Sequence, residues 1–236
     1  MDIIAGRPGP SVQSVFDTDT NPAPAIMRSE SPAAGQSSDD VSVERYFSKA
    51  WHDREVEKVW RKTWQLACRA EEIPNTGDHI VYEIVHDSLI VVRTADGGIR
   101  AYINSCLHRG TMLRTEGGCV AQLRCPFHGF TWSLEGELRD VPCRWDFPQI
   151  EDERFRLPEA KVATWGGFVF VNFDPDCKPL EDYLEELPRH FERWPLAERH
   201  VAARVERRIA CNWKVAVEAF IETYHIVGVH AANLPF

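Results

Sequence analysis

The sequence predicts a mostly β fold, with an antiparallel domain over about residues 75–175 followed by the start of an α+β domain. Short stretches rich in β-branched and aromatic residues recur in the first region, and turn sequences such as Asp96-Gly97-Gly98 separate them. Helical spacing of apolar residues occurs before and after this region. With 44% hydrophobic residues among 236, the chain can bury a substantial core.

Residues 1–40 are predicted to form a disordered tail, because they are rich in proline, serine, glycine and aspartate and their apolar residues repeat at neither helical nor strand spacing. A helix is expected next, with Asp53 as its N-cap. Four apolar residues at helical spacing would share one of its faces: Val56, Val59, Trp60 and Trp64.

The β region begins with a hairpin, in which His79–Val85 and Ser88–Arg93 flank a His86-Asp87 turn. A strand at Ile99–Ile103 follows the next turn. Further strands are predicted at Phe130–Leu134, Glu137-Leu138 and Gly167–Phe173.

The pattern changes after Asp174-Pro175, so two domains are expected, over residues 41–175 and 176–236. In the second, a helix with apolar residues from Leu180 to Leu187 should end at Pro188. A strand is expected over residues 201–209, and Asn212 is expected to cap a helix that begins at Trp213.

The charge balance and the cysteine content limit which partners and which cellular compartment we expect. The 27 Lys and Arg residues against 36 Asp and Glu give a net charge of −9, which disfavours nucleic acid as a partner. The apolar runs fall far short of the roughly 20 residues that span a bilayer, so no membrane partner is expected. Seven cysteines, an odd number, without an export signal favour a reducing, cytoplasmic location over disulfide bonds.

Two mixed pairs of metal-ligand residues stand sixteen residues apart: Cys106-Leu107-His108 and Cys125-Pro126-Phe127-His128. Structural zinc sites also use two cysteines and two histidines, but their pairs usually combine like ligands. Pairs of one thiolate and one imidazole suit two irons, one bound by both thiolates and the other by both imidazoles. The pattern therefore favours a 2Fe–2S cluster at two loop tips.

These residues resemble the Rieske fingerprint of Rieske non-haem iron oxygenases, the large (alpha) subunits of ring-hydroxylating dioxygenases and their monooxygenase relatives. The likeness lies in Cys106-Leu107-His108-Arg109-Gly110 and Cys125-Pro126-Phe127-His128-Gly129, and it continues in Trp165–Asn172. The resemblance implies a Rieske domain followed by the start of a catalytic domain.

A second set of ligand-type residues lies near the end of the sequence: Glu218, Glu222, His225 and His230. In one helix at about 100° per residue, the first three share a face and His230 lies off it. Both histidines could then share a metal only if the helix bends or the second ring is repositioned, most easily at Gly228.

The resemblance implies that His225 and His230 bind a mononuclear iron, and that the third ligand is an acidic residue downstream of these 236 residues. It also implies that Glu222 bridges His225 to His128 of a neighbouring subunit in a trimer, as the path for electrons. The chain is accordingly expected to be the N-terminal portion of a longer subunit.

The resemblance implies O2-dependent hydroxylation of an organic substrate, which we expect to be aromatic, with electrons derived from NAD(P)H. The implied cofactors are a 2Fe–2S cluster and mononuclear Fe(II). The implied electron donor is a ferredoxin or flavin reductase, and the implied assembly is a homotrimer or a complex with a small beta subunit. Three alternatives stay open: an electron carrier without oxygenase activity, a monooxygenase acting on a quaternary amine, and a structural zinc protein. The other five cysteines, at positions 68, 119, 143, 177 and 211, are expected to be structural thiols.

Overall fold

A computed structural model describes residues 41–222 and 224–230, together with Asp17, Thr18 and Thr20. These residues divide into two units, one formed by His52–Glu206 and the other by the described parts of Met1–Trp51 and Arg207–Phe236. Apart from the three isolated positions, the predicted tail over residues 1–40 lies outside the described residues. The domain boundary near residue 175 stays a prediction.

The larger unit contains two antiparallel sheets. The strands of the main sheet are Gln65–Arg69 (β1), Asp78–Ile84 (β2), Asp87–Arg93 (β3), Ile99–Ile103 (β4), Gly118–Cys119 (β5), Glu159–Trp165 (β9) and Phe168–Asn172 (β10). They lie in the order β1-β10-β9-β4-β3-β2-β5. Leu123–Arg124 (β6), Thr131–Trp132 (β7) and Leu138–Asp140 (β8) form the small sheet. The predicted antiparallel β region is confirmed.

The predicted first hairpin is present, with its turn one residue earlier than expected. β2 and β3 pair from His79 opposite Val92 to Ile84 opposite Asp87, which leaves Val85 and His86 as the turn. Val85 has a φ of 56°, and a positive φ at the first turn position is typical of two-residue hairpin turns.

β3 is buried on both faces, which explains its continuous apolar sequence. Leu89 and Val91 belong to a core cluster with residues of β1, β4 and β10, whereas Ile90 and Val92 belong to a second cluster. Because successive side chains of a strand point to opposite faces, a strand between two cores has no polar face. The second cluster also contains residues of the small sheet together with Cys106 and Cys125, so the two cysteine-containing loops are anchored in this core.

The helices are short: Glu44–Phe47 (α1), Lys49–Glu55 (α2), Leu180–Leu184 (α3), Leu187–His190 (α4), Trp213–Glu218 (α5) and Tyr224–Val229 (α6). The expectation that Asp53 caps a helix is wrong, because Asp53 lies inside α2. Ser48 stands at its start instead, and its Oγ accepts the Trp51 N–H at 3.4 Å. A π-helical turn, Val56–Trp60, continues α2.

Two further expectations about the second half are corrected. Pro188 does not end a helix but lies in the first turn of α4, where its missing N–H removes no helical bond. The break occurs at Glu185, which has a φ of 49°. Residues 201–209 do not form a strand, because no described strand lies beside them, and Val205 is 81% exposed.

The prediction for Asn212 is confirmed, since its side-chain oxygen accepts the Lys214 N–H at 3.0 Å at the start of α5. Within the described part of the chain, no helix has the length and apolarity required to cross a membrane.

Candidate metal centres

The first cysteine–histidine loop is closed by its own backbone. The Cys106 N–H donates to the Thr111 carbonyl and the Gly110 N–H donates to the Cys106 carbonyl, both at 2.8 Å. Gly110 has a φ of 72°, which a residue with a Cβ adopts only with strain. The glycine after the pair therefore lets the chain turn back directly behind the two ligand residues.

The second loop repeats this pattern. The Cys125 N–H donates to the Phe130 carbonyl at 2.8 Å, and the Gly129 N–H donates to the Cys125 carbonyl at 3.1 Å. Gly129 has a φ of 79°. In both loops the glycine is the fourth residue after the cysteine, so the loops match although the histidine is one position later in the second.

The two loops bring the four predicted cluster ligands together in like pairs. The rings of His108 and His128 lie 4.8 Å apart between centroids at an angle of 64°. Burial raises the pKa of Cys106, and the thiol of Cys125 lies close enough to that of Cys106 to raise it further. Both cysteines are buried, whereas His128 is exposed, so the thiols lie inside and the imidazoles lie towards the surface.

The protonation states favour metal binding at His108, whereas Cys106 would lose its proton to a bound metal. Burial and the adjacent thiol of Cys125 raise the pKa of Cys106. Burial, followed by the nearby His128 and Arg109, lowers the pKa of His108 and favours the neutral ring that binds metals. The Nδ1 of His108 is buried and has no hydrogen-bond partner among the described residues, and a metal would satisfy it.

Among the described residues, no group of three or more His, Cys, Asp and Glu side chains surrounds a single point as a mononuclear site would require. In a cluster with two thiolates on one iron and two imidazoles on the other, each iron has only two protein ligands.

Aromatic side chains that the sequence analysis did not single out fix the orientation of the imidazoles. The His108 ring stacks on Phe130 at 4.7 Å with an angle of 12°, and Phe147 contacts it edge-on at 5.7 Å. Phe127 lies 3.9 Å from the His128 ring. Phe127 and Phe130 stand inside the second motif, whereas nothing in the local sequence marks Phe147 as a neighbour.

The predicted iron-binding segment consists of two short helices, so the single helix assumed from the sequence is wrong. α5 ends at Glu218, and α6 begins at Tyr224. Glu218 therefore does not share a face with His225. Its carboxylate accepts hydrogen bonds from Arg45 at 2.5 Å and from Tyr46 at 2.7 Å in the same unit.

Glu222 precedes α6 and contacts His225 twice. One carboxylate oxygen lies 2.5 Å from the His225 Nδ1, and the other accepts the His225 backbone N–H at 3.1 Å. A carboxylate accepts, so it favours the tautomer with the proton on Nδ1 and leaves Nε2 available for a metal.

His230 approaches His225 without a break at Gly228. The His230 N–H donates to the Ile226 carbonyl at 2.9 Å, so helical hydrogen bonding continues past Gly228. The two rings are 5.5 Å apart between centroids at 76°. Rings that share a metal at about 2.0–2.1 Å from each nitrogen can be at most roughly 6.5 Å apart, so the spacing suits one ion.

Two family profiles match this chain. Residues 63–151 match the family profile "Rieske [2Fe-2S] domain", and residues 188–236 match "Ring hydroxylating alpha subunit (catalytic domain)". The chain therefore contains a Rieske domain followed by part of a ring-hydroxylating catalytic domain, and its relatives are Rieske oxygenase alpha subunits.

Individual Rieske oxygenase subunits resemble the chain along most of its length. It is 30% identical over 188 residues to the carnitine monooxygenase oxygenase subunit of Escherichia coli strain K12, covering 78% of this chain and 50% of that one. It is 31% identical over 203 residues to the biphenyl 2,3-dioxygenase alpha subunit of Rhodococcus jostii RHA1, covering 80% and 44%. The chain thus spans about half the length of these relatives.

A solved structure is also similar. The crystal structure of a quaternary ammonium Rieske monooxygenase with L-carnitine aligns with a TM-score of 0.75 at 26% identity, covering 80% of this chain and 55% of that one. The Rieske fold and the beginning of the catalytic domain are therefore those of the family.

Proposed function

We propose that this chain belongs to an oxygenase subunit that passes electrons derived from NAD(P)H to a mononuclear iron and hydroxylates an organic substrate with O2. The proposed cluster ligands are Cys106, His108, Cys125 and His128, and the proposed iron ligands are His225 and His230. The observation that carries this proposal is the meeting of two matching loops, which pair thiol with thiol and imidazole with imidazole.

When bound, the 2Fe–2S cluster would supply a one-electron store, and the iron would supply the site of O2 chemistry. The protein's part is to keep His108 neutral and the two thiols buried, while the exposed His128 edge is available to a neighbour. The buried position of the thiols keeps water away from half of the cluster site.

Glu222 is the proposed connection between the two centres. Its contact with the His225 Nδ1 orients that imidazole, and a carboxylate can accept a second hydrogen bond from the outer nitrogen of another imidazole. In the proposed trimer that second ring is His128 of a neighbouring copy. Glu222 would then hold both rings in fixed positions along the electron path.

The proposed electron donor is a separate ferredoxin or flavin reductase, and the proposed assembly is a homotrimer, alone or with beta subunits. All seven cysteines are free, which fits a reducing compartment, and we propose the cytoplasm. The domain limits that go with this function are 41–175 for the Rieske part and 176–236 for the beginning of the catalytic part.

Two substrate classes are supported by specific relatives. An aromatic hydrocarbon is the first candidate, because the chain is similar to a biphenyl dioxygenase subunit. A quaternary amine is the second, because the likeness to carnitine monooxygenase holds in both sequence and structure. Consumption of NADH and O2 with biphenyl and with carnitine, in the longest form its reading frame encodes and with a reductase, separates these candidates.

The cluster itself is tested by redox titration followed by electron paramagnetic resonance. With two histidine ligands, the midpoint should lie between about −150 and +300 mV, well above the value of about −400 mV for all-cysteine plant-type ferredoxins. A colourless protein that binds zinc, or a midpoint near the all-cysteine value, would contradict the proposal. Two irons per chain with no further iron would favour an electron carrier.

A further inference from the structure

Asn104 closes the first cluster loop at its base. Its side-chain oxygen accepts the backbone N–H groups of Leu113 and Arg114 at 3.0 and 2.9 Å. Its side-chain nitrogen donates to the Arg114 carbonyl at 2.6 Å and to Ser88 Oγ at 3.0 Å. Asn104 is 5% exposed and makes all four bonds that its amide allows, so residues 104 and 114 are held together below the ligands.

Arg114 connects this base to the second loop. Its Nη1 donates to the carbonyls of Leu113 and Arg124 at 2.7 and 3.0 Å, and its Nη2 donates to the Gln122 carbonyl at 3.0 Å. Arg124 directly precedes Cys125. A single guanidinium therefore spans from the end of one cluster loop to the beginning of the other.

The charge of Arg114 is not neutralised by these contacts. Its acceptors are three carbonyl oxygens rather than carboxylates, and its Nε is buried without a hydrogen-bond partner among the described residues. Burial lowers the pKa of the guanidinium, yet arginine stays protonated in proteins. A full positive charge is thus held partly out of water beside the loops.

We propose that Arg114 is a positioning residue that fixes the second cluster loop against the first, and that its positive charge raises the reduction potential of the cluster. The inference rests on the proposed cluster. Reduction adds a negative charge, which a nearby cation stabilises, most strongly where water is excluded.

Three variants separate the effect of the Arg114 charge from the effect of its contacts with the second loop. Arg114→Gln removes the charge and most of the donors, and Arg114→Lys keeps the charge but replaces the planar fork with one ammonium. Arg154→Gln is the control, because Arg154 belongs to the same unit, is 81% exposed and, among the described residues, forms its salt bridge with Glu151 at the surface. The readouts are the midpoint potential, the line width of the resonance signal, and iron and acid-labile sulfide per chain.

We expect Arg114→Gln to lower the equilibrium constant for reduction about tenfold, a shift of about 59 mV for one electron. Arg114→Lys should keep the wild-type midpoint within a threefold change, but its signal should be broader and its cluster content lower. Arg154→Gln should match the wild type in all readouts. A role in folding alone would reduce cluster content without moving the midpoint.

Wild-type midpoints in Arg114→Gln, or an equal shift in Arg154→Gln, would overturn the inference. If Arg114→Gln holds no cluster, Arg114→Lys decides: a wild-type midpoint with reduced cluster content supports the inference, and a lowered midpoint despite the retained charge overturns it. A wild-type protein without a cluster would instead overturn the proposed function, so the two failures are distinguishable.

Discussion

The cluster loops and the iron segment hold their proposed ligands by different means. Each cluster loop is closed by two backbone hydrogen bonds and rests on the core that contains Trp132 and Phe130. The iron segment is a helix of six residues, and the histidine contacts that the described part of the chain shows are with residues at most five positions away; His230 is exposed. Ligands anchored in a core can be preorganised, whereas ligands on a short helix depend on the metal and on neighbouring structure.

Removing a buried cluster ligand should have the largest effect and is the strongest test of the difference between the cluster loops and the iron segment. Cys125→Ser should abolish the cluster and the visible absorption, because the thiolate is lost from a buried position where few alternative donors exist. Iron and sulfide analysis measures the loss. Cys143→Ser is the matched control, since Cys143 is an exposed cysteine of the same unit and should leave the spectrum unchanged. Two irons retained in Cys125→Ser would contradict the ligand set.

Removing an iron ligand should have a more local effect. His225→Ala should lose the mononuclear iron and product formation but keep the full cluster, because the two centres depend on different contacts. Iron per chain should fall by one while the visible spectrum is unchanged. His200→Ala, an exposed histidine without a proposed role, provides the control. Loss of the cluster together with the iron would show that the two regions are not independent.

Glu222→Gln should leave both centres filled but slow electron transfer between them at least about tenfold, since a glutamine amide cannot accept from two imidazoles equally. Single-turnover oxidation of the cluster, with iron content determined in parallel, measures the effect. Glu218→Gln serves as the control, because Glu218 contacts Arg45 and Tyr46 instead of a histidine. A wild-type rate would exclude the bridge, and loss of iron would make Glu222 a support of the metal site.

The two cluster loops themselves should differ in tolerance to a methyl group. Alanine in the left-handed region costs about 1–2 kcal/mol. In Gly129→Ala the added Cβ would also lie 3.2 Å from Arg124 Nη2 and 3.3 Å from Pro142 Cγ, whereas at Gly110 the nearest atom is Ser105 Oγ at 3.8 Å.

Gly129→Ala should therefore lower the melting temperature more than Gly110→Ala, by roughly 2–4 °C for each additional kcal/mol. Gly97→Ala measures backbone strain alone, because Gly97 has a φ of 81° and open space around it. Circular dichroism during heating gives the three values. Equal shifts for Gly110→Ala and Gly129→Ala would mean that Arg124 and Pro142 move aside without cost.

The last prediction concerns a thiol outside both centres, whose change affects neither centre. Burial raises the pKa of Cys68 to about 12, so almost no thiolate is present at pH 8, and its alkylation should be much slower than that of the exposed Cys143. Mass spectrometry of alkylated peptides measures this order, with denatured protein as the control in which all cysteines react. The unassigned cysteines, expected to be structural thiols, differ in burial: Cys68 is buried, whereas Cys119, Cys143 and Cys211 are exposed.

The sequence by itself determined features that depend on neighbouring residues. The hairpin of β2 and β3, the cap at Asn212 and the cysteine–histidine pairs with their glycines follow from contacts within a few positions, which periodicity and spacing record. The family resemblance rested on these same local patterns, which is why it could be stated before any tertiary contact was known.

Only the tertiary structure decided features that join distant positions. The helix ends at Glu218 and a new one begins at Tyr224, and the Glu218 carboxylate binds Arg45, 173 positions away. Helical periodicity in the sequence cannot reveal a contact over that distance. The brace from Asn104 through Arg114 to Arg124 likewise depends on where two loops meet. A guanidinium or a carboxylate has the same sequence pattern whether it is solvated or buried, so its partners become known only when the chain is folded.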